Sequence, residues 1–114
     1  MLIRKIPKAA KEGGRFKSPR HLKHVRGHAC VYCDATAPIE AAHVRNGSDA
    51  GMGRKPSDYF AVALCGGVDG CHAKQHRQGE QTFWKGRDVA AIIEAFIQSS
   101  PVRAEIRRAQ RERD

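Results

Sequence analysis

Aromatic residues are scarce in this chain of 114, at 6% with a single tryptophan, so its core cannot rest on large rings. No apolar run approaches the roughly 20 residues that cross a bilayer. The opening stretch MLIRKIPKAAKEGG has neither the apolar segment nor the cleavage site of a secretory signal. Acid is short as well: 12 Asp and Glu stand against 21 Lys and Arg, a formal net charge of +9. We therefore expect one small cytoplasmic domain, without a membrane span and with a modest core. A core of that size usually needs a second device, and metal is the common one.

The charge that is present is uneven. Residues 1 to 26 hold Arg4, Lys5, Lys8, Lys11, Arg15, Lys17, Arg20, Lys23 and Arg26 against one acid, Glu12. Such a stretch either meets a polyanion, with DNA the natural partner, or simply solvates the chain. No Trp or Phe/Leu-rich apolar face accompanies it, which argues against a membrane anchor. Lys23 and Arg26 are the nucleic-acid-binding candidates here.

Punctuation divides the chain. Residues 1–17, with Gly13-Gly14 and little periodicity, read as a flexible basic arm. Ser18-Pro19 is a helix start and Gly27 a stop, with Leu22 and Val25 facing inward. Residues 29–32 and 39–44 read as short strands around a turn at 34–38. The glycine-rich loop NGSDAGMGRKPSD is too polar for a core. Residues 59–64 suit a half-buried turn or strand, and 71–77 a helix ending near Gly79. In DVAAIIEAFIQ, residues Val89, Ile92, Ile93, Phe96 and Ile97 form one helical stripe. That stripe is either core or a weak homodimer contact, so the chain is expected to be a monomer or weak homodimer. Phe83 and Trp84 read as core anchors. The domain proper spans 18–98, and 99–114 reads as a charged, solvent-exposed helix.

Cysteine is sparse but spaced. Cys30 and Cys33 form a CxxC, and after 31 residues Cys65 and Cys71 follow with five residues between them. In a reducing compartment these point to thiolate ligands rather than two disulfides. Two such pairs make a closed tetrahedral structural zinc site, and the glycines of GGVDG let the longer loop fold back. A redox-active CxxC would need a strand entering a long helix, which this context lacks. Four thiolates would leave His72 and His76 free. At i and i+4 they share one helix face, where they can hold one ion or stand as surface histidines. His21, His24 and His28 read as surface or phosphate-contacting residues.

Taken in order, CVYC, AAHV, GMGRKPSD, LC and CHAKQH resemble the HNH, or His-Me finger, endonucleases over about residues 28–88, most closely the phage-type branch related to the recombination enhancement nuclease. The resemblance implies an α+β fold, a small zinc-stabilised ββα-metal domain with flanking helices. It implies a metal-dependent DNA endonuclease in which His43 is the general base; an imidazole suits that role near neutrality. His72 and His76 match the catalytic-metal positions, for Mg2+, Mn2+, Ni2+ or Zn2+, beside the structural Zn2+. Asp58 matches the residue that orients the base or completes the metal shell. Arg45, Arg54 and Lys55 flank the site as phosphate holders or solvated loop charges. Ala42 departs from the pattern, since many members place an Asp or His ligand there. A non-catalytic, zinc-stabilised nucleic-acid-binding module is the alternative. A phage recombination, packaging or restriction partner is also compatible with the resemblance.

Overall fold

Ser18 starts the first helix as its residue type predicts: the hydroxyl accepts from the backbone N–H of His21 at 3.1 Å. This computed structural model describes residues 15–51 and 53–113. Of the expected arm over 1–17, only 15–17 fall within that range. Helix α1 runs Pro19–Arg26, and Gly27 closes it through a bond from its N–H to the His24 carbonyl. Its inner face carries His21 and Val25, both 0% exposed, one turn apart, while Leu22 is only half-buried. The expectation of a surface His21 is therefore corrected: i and i+4 spacing from an inward Val25 turns it into the core.

No strand forms over 29–32. The CxxC instead makes a tight turn, with Cys30 N–H bonded to the Ala35 carbonyl and Asp34 N–H to the Cys30 carbonyl, and Asp34 in the left-handed region at φ 69°. A turn that brings two sulfurs together is incompatible with extended backbone. Only Val31 reaches the sheet, donating to the Ala63 carbonyl at 2.9 Å.

The sheet has two antiparallel strands, β1 Ile39–His43 and β2 Ala61–Cys65, in register from Ile39 opposite Cys65 to His43 opposite Ala61. Residues 61–64 are fully buried rather than half-buried, because helices pack over β2. A single 3-10 turn, Asp58–Phe60, leads into β2. The loop before it, expected outside the core, ends in buried Pro56, Ser57 and Asp58. Its polar groups are satisfied locally: Asp49 accepts from the Ser57 N–H at 2.8 Å and from the Ser57 hydroxyl, which itself accepts from the Phe16 N–H.

Helix α2, Cys71–Gln78, ends at Gly79 with φ 87°, and the short α3, Glu80–Phe83, follows. Phe83 and Trp84 anchor the core as expected, at 2% and 5% exposure. The Trp84 indole N–H donates to Gln75 Oε1 at 2.7 Å, and Tyr32 stacks on Phe83 with ring centroids 4.0 Å apart. Helix α4, Val89–Gln98, is capped by Asp88 and buries Ile93, Phe96 and Ile97. Its stripe is core.

Helix α5, Arg103–Arg113, is mostly exposed as its charge implies, but it docks on the core through Ile106. Val102 and Ile106, four apart, are 5% and 0% exposed within the same core, and Arg107 pairs with Glu94 on α4. Few apolar residues suffice when they fall on one face. The whole is a small α+β fold, and among the described residues no helix is long and apolar enough to cross a membrane.

Candidate functional site

Three elements bring the four cysteines together: the 30–33 turn supplies two, the end of β2 supplies Cys65 and the first turn of α2 supplies Cys71. Their sulfurs all lie within 4.8 Å of one another. Backbone amides are turned toward them, with the Tyr32 N–H on Cys30 Sγ at 3.4 Å and the Cys71 N–H on Cys65 Sγ at 3.2 Å. Glycine is required in the 65–71 loop, since a Cβ at Gly70 would sit 2.2 Å from the Gly66 carbonyl oxygen.

Burial raises the Cys30 thiol, but backbone hydrogen bonds from Cys33, Cys65 and Tyr32 outweigh it and bring the pKa to about 7. Cys71 is pushed up strongly by burial and then by the neighbouring sulfurs. Four thiols this close cannot all ionise against each other, and a cation at their centre removes the conflict. The cluster therefore fits a structural metal such as zinc.

The histidines gather elsewhere on the same unit. His43 ends β1, and its Nε2 lies 2.9 Å from Asp58 Oδ1. Asp58 is 4% exposed and fixed from three sides: its Oδ2 accepts from the Ser18 N–H at 2.8 Å, and its Oδ1 accepts also from the Arg15 guanidinium at 3.1 Å. Burial alone would raise its pKa, but the bond to His43, the Ser18 N–H and Arg15 hold it below the ordinary carboxylate value. An ionised carboxylate only accepts, so in the neutral ring the His43 proton sits on Nε2. Nδ1 is left with a lone pair.

His43, His72, His76, Arg45, Lys55 and Glu80 line one cavity of about 260 Å³. It adjoins a larger polar cavity of about 880 Å³ that shares Arg45, His76 and Glu80. Asp58 contacts the His43 ring and is not among the residues that line the cavity. His72 and His76 lie one turn apart on α2 with ring centroids 5.0 Å apart. Among the described residues, the four cysteines alone form a convergent group of three or more His, Cys, Asp or Glu. A metal here would take two imidazoles from the protein. Ala42, the departure noted in the sequence, is 0% exposed and pairs with Val62, while its neighbours Ala41 and His43 line the cavity. Position 42 thus faces the core, and a ligand there would not reach the cavity.

The remaining candidates divide. Arg45 braces the loop, donating to the carbonyls of Arg54 and Gly51 at 3.3 Å each. Arg54 donates to the Asp49 carbonyl and does not line the cavity, whereas Lys55 does. Lys23 and Arg26 are exposed on α1 and do not line the histidine cavity; Lys23 borders another groove of about 500 Å³ with Arg20, His24 and His28.

Three residues outside the sequence-based set enter the site. Arg15 pairs with Asp58 across 43 positions, a distance at which sequence offers no signal. Glu80 accepts from the backbone N–H groups of Arg45 and Asn46 at 2.7 and 2.8 Å, tying α3 to the loop after β1. Glu40 contacts His72 Nδ1 at 2.6 Å. Its signal was an acid on a short strand three residues before His43. No family model, curated protein or solved structure matches this chain.

Proposed function

We propose that this chain is a metal-dependent DNA endonuclease of the ββα-metal (HNH) type, hydrolysing phosphodiester bonds with His43 as general base. The observation that carries the reading is the His43–Asp58 pair at the wall of a cavity that also holds two helical imidazoles and two cationic side chains. Asp58 fixes the ring and keeps the proton on Nε2, so Nδ1 can take a proton from a water attacking phosphorus. His72 and His76 would hold a divalent ion, which supplies charge stabilisation for the phosphoryl oxygens and the leaving group. Arg45 and Lys55 neutralise and place the phosphate, and the net +9 charge draws the polyanion in. The cavity is lined from β1 and α2 of a strand, strand, helix unit, the architecture that the resemblance implies.

Plasmid nicking by zinc-loaded protein with Mg2+, Mn2+ or Ni2+ tests it. His43→Ala is expected to lower the rate by about 10²- to 10⁴-fold, the usual worth of a general base. Zinc content and unfolding midpoint should stay at the wild-type values. A second reading, a zinc-stabilised DNA-binding module without catalysis, is favoured by one specific observation: the lack of a third convergent ligand beside His72 and His76 among the described residues. Salt-sensitive DNA binding with no metal-dependent nicking by folded wild type would select that module.

A further inference from the structure

Glu40 sits on β1 opposite Leu64, and its carboxylate reaches past Gly66 to the first turn of α2. The reach depends on glycine: a Cβ at position 66 would lie 2.5 Å from Glu40 Oε2. At the end of that reach Oε1 meets His72 Nδ1 at 2.6 Å. A carboxylate accepts, so in the neutral ring Nδ1 carries the proton and Nε2 keeps the lone pair. His72 lines the cavity and Glu40 does not. No group of three including Glu40 converges on a common point among the described residues, so Glu40 acts through the ring rather than as a ligand.

We propose that Glu40 is a positioning residue that locks His72 with Nε2 free, so that Nε2 together with His76 presents a preset pair of nitrogen donors to a divalent cation. The inference rests on the metal-dependent reading of this cavity. It deepens that reading by naming the donor atom and the group that selects it. Carboxylates behind ligating imidazoles raise ligand basicity and fix ring orientation, and losing one typically lowers metal affinity about 10- to 100-fold. Gly66 follows the ligand Cys65, and His72 follows the ligand Cys71. The loop that sets the cysteine cluster therefore also sets this pair.

The test uses the full, zinc-loaded chain and Ni2+ alone as probe. Imidazole ¹⁵N spectra of wild type should show His72 protonated on Nδ1. Calorimetric titration should show Ni2+ affinity falling about 10- to 100-fold in Glu40→Ala, with Glu40→Gln, which keeps an acceptor oxygen, recovering part of it. Gly66→Ala, which pushes the carboxylate aside while leaving Glu40 in place, should fall like Glu40→Ala. The half-exposed Glu40 side chain makes a folding failure the lesser risk, and unchanged zinc content and unfolding midpoint verify each variant. Wild-type Ni2+ affinity in Glu40→Ala, or an Nε2-protonated His72 in wild type, overturns the proposal. If the tautomer and affinity shift appear but wild type does not nick DNA, the nuclease reading falls while the role of Glu40 stands.

Discussion

Within the β1–β2–α2 unit four sulfurs meet within 4.8 Å of one another, whereas three imidazoles line a cavity where, among the described residues, no three ligand atoms converge. Both sites draw on the same pieces. Cys65 pairs across the sheet with Ile39 at one end of the ladder, His43 pairs with Ala61 at the other, and Cys71 and His72 are adjacent on α2. Their support differs in kind. Backbone amides and glycine loops serve the cysteines, while carboxylates stand behind the histidines, Asp58 behind His43 and Glu40 behind His72. A site completed by protein atoms fixes structure. On the proposed reading, a site with oriented but incomplete donors receives an ion and a substrate.

The comparison breaks first, and hardest, at the cysteines. Zinc removal by a chelator, or Cys71→Ser, should unfold the chain, because structural zinc contributes about 10 kcal/mol or more and a small domain has only about 5–15 kcal/mol in all. Circular dichroism with and without zinc reads this directly. A fold that survives chelation would make the cluster an ornament and erase the contrast.

Asp58 offers the next effect. Asp58→Ala leaves the Arg15 guanidinium, 15% exposed, without its carboxylate and removes the partner of His43. Breaking one side of a buried pair typically costs about 3–5 kcal/mol. Urea unfolding should register that loss, and nicking should fall as well. His43→Ala, by contrast, should lose activity without a matching loss of stability. Equal destabilisation by the two variants would mean that His43 is structural too.

How much of this was legible beforehand follows the same division. The cysteine spacing announced itself, because a metal imposes its geometry on positions close in sequence. HxxxH was equally local, and Ser18-Pro19 and Gly27 marked α1 by their own backbone chemistry. What escaped was set by tertiary partners. His21 looked like a surface histidine until Val25 turned its face inward, and the docking of α5 through Ile106, with Val102 just before the helix, was hidden among arginines. Arg15 entered only through a contact 43 positions away. Residues 29–32 misled in the other direction, since their β-prone side chains sit in a turn that the sulfurs dictate.

His21 supplies the smallest and most selective prediction, because it is a histidine that belongs to neither site. It is 0% exposed, its Nδ1 lies 2.8 Å from Ser100 Oγ, and it connects α1 to the turn before α5. Burial first, then the nearby His24, lowers its pKa from 6.5 to about 4, while Asp58 pulls weakly the other way. The sign follows from linkage: the unfolded chain takes up a proton near pH 6.5 and the folded chain does not until about pH 4. Its contribution is whole above pH 6.5 and is lost as pH falls toward 4, by about 3 kcal/mol from the size of the shift. Acid protonates cysteine ligands too, so wild type alone would not isolate the effect. His21→Asn, which keeps a polar partner for Ser100 but cannot titrate, should lose about 3 kcal/mol less stability than wild type between pH 6.5 and 4. Parallel stability curves for the two proteins would show that this histidine is protonated in the fold, and that burial alone does not separate structural imidazoles from those of the cavity.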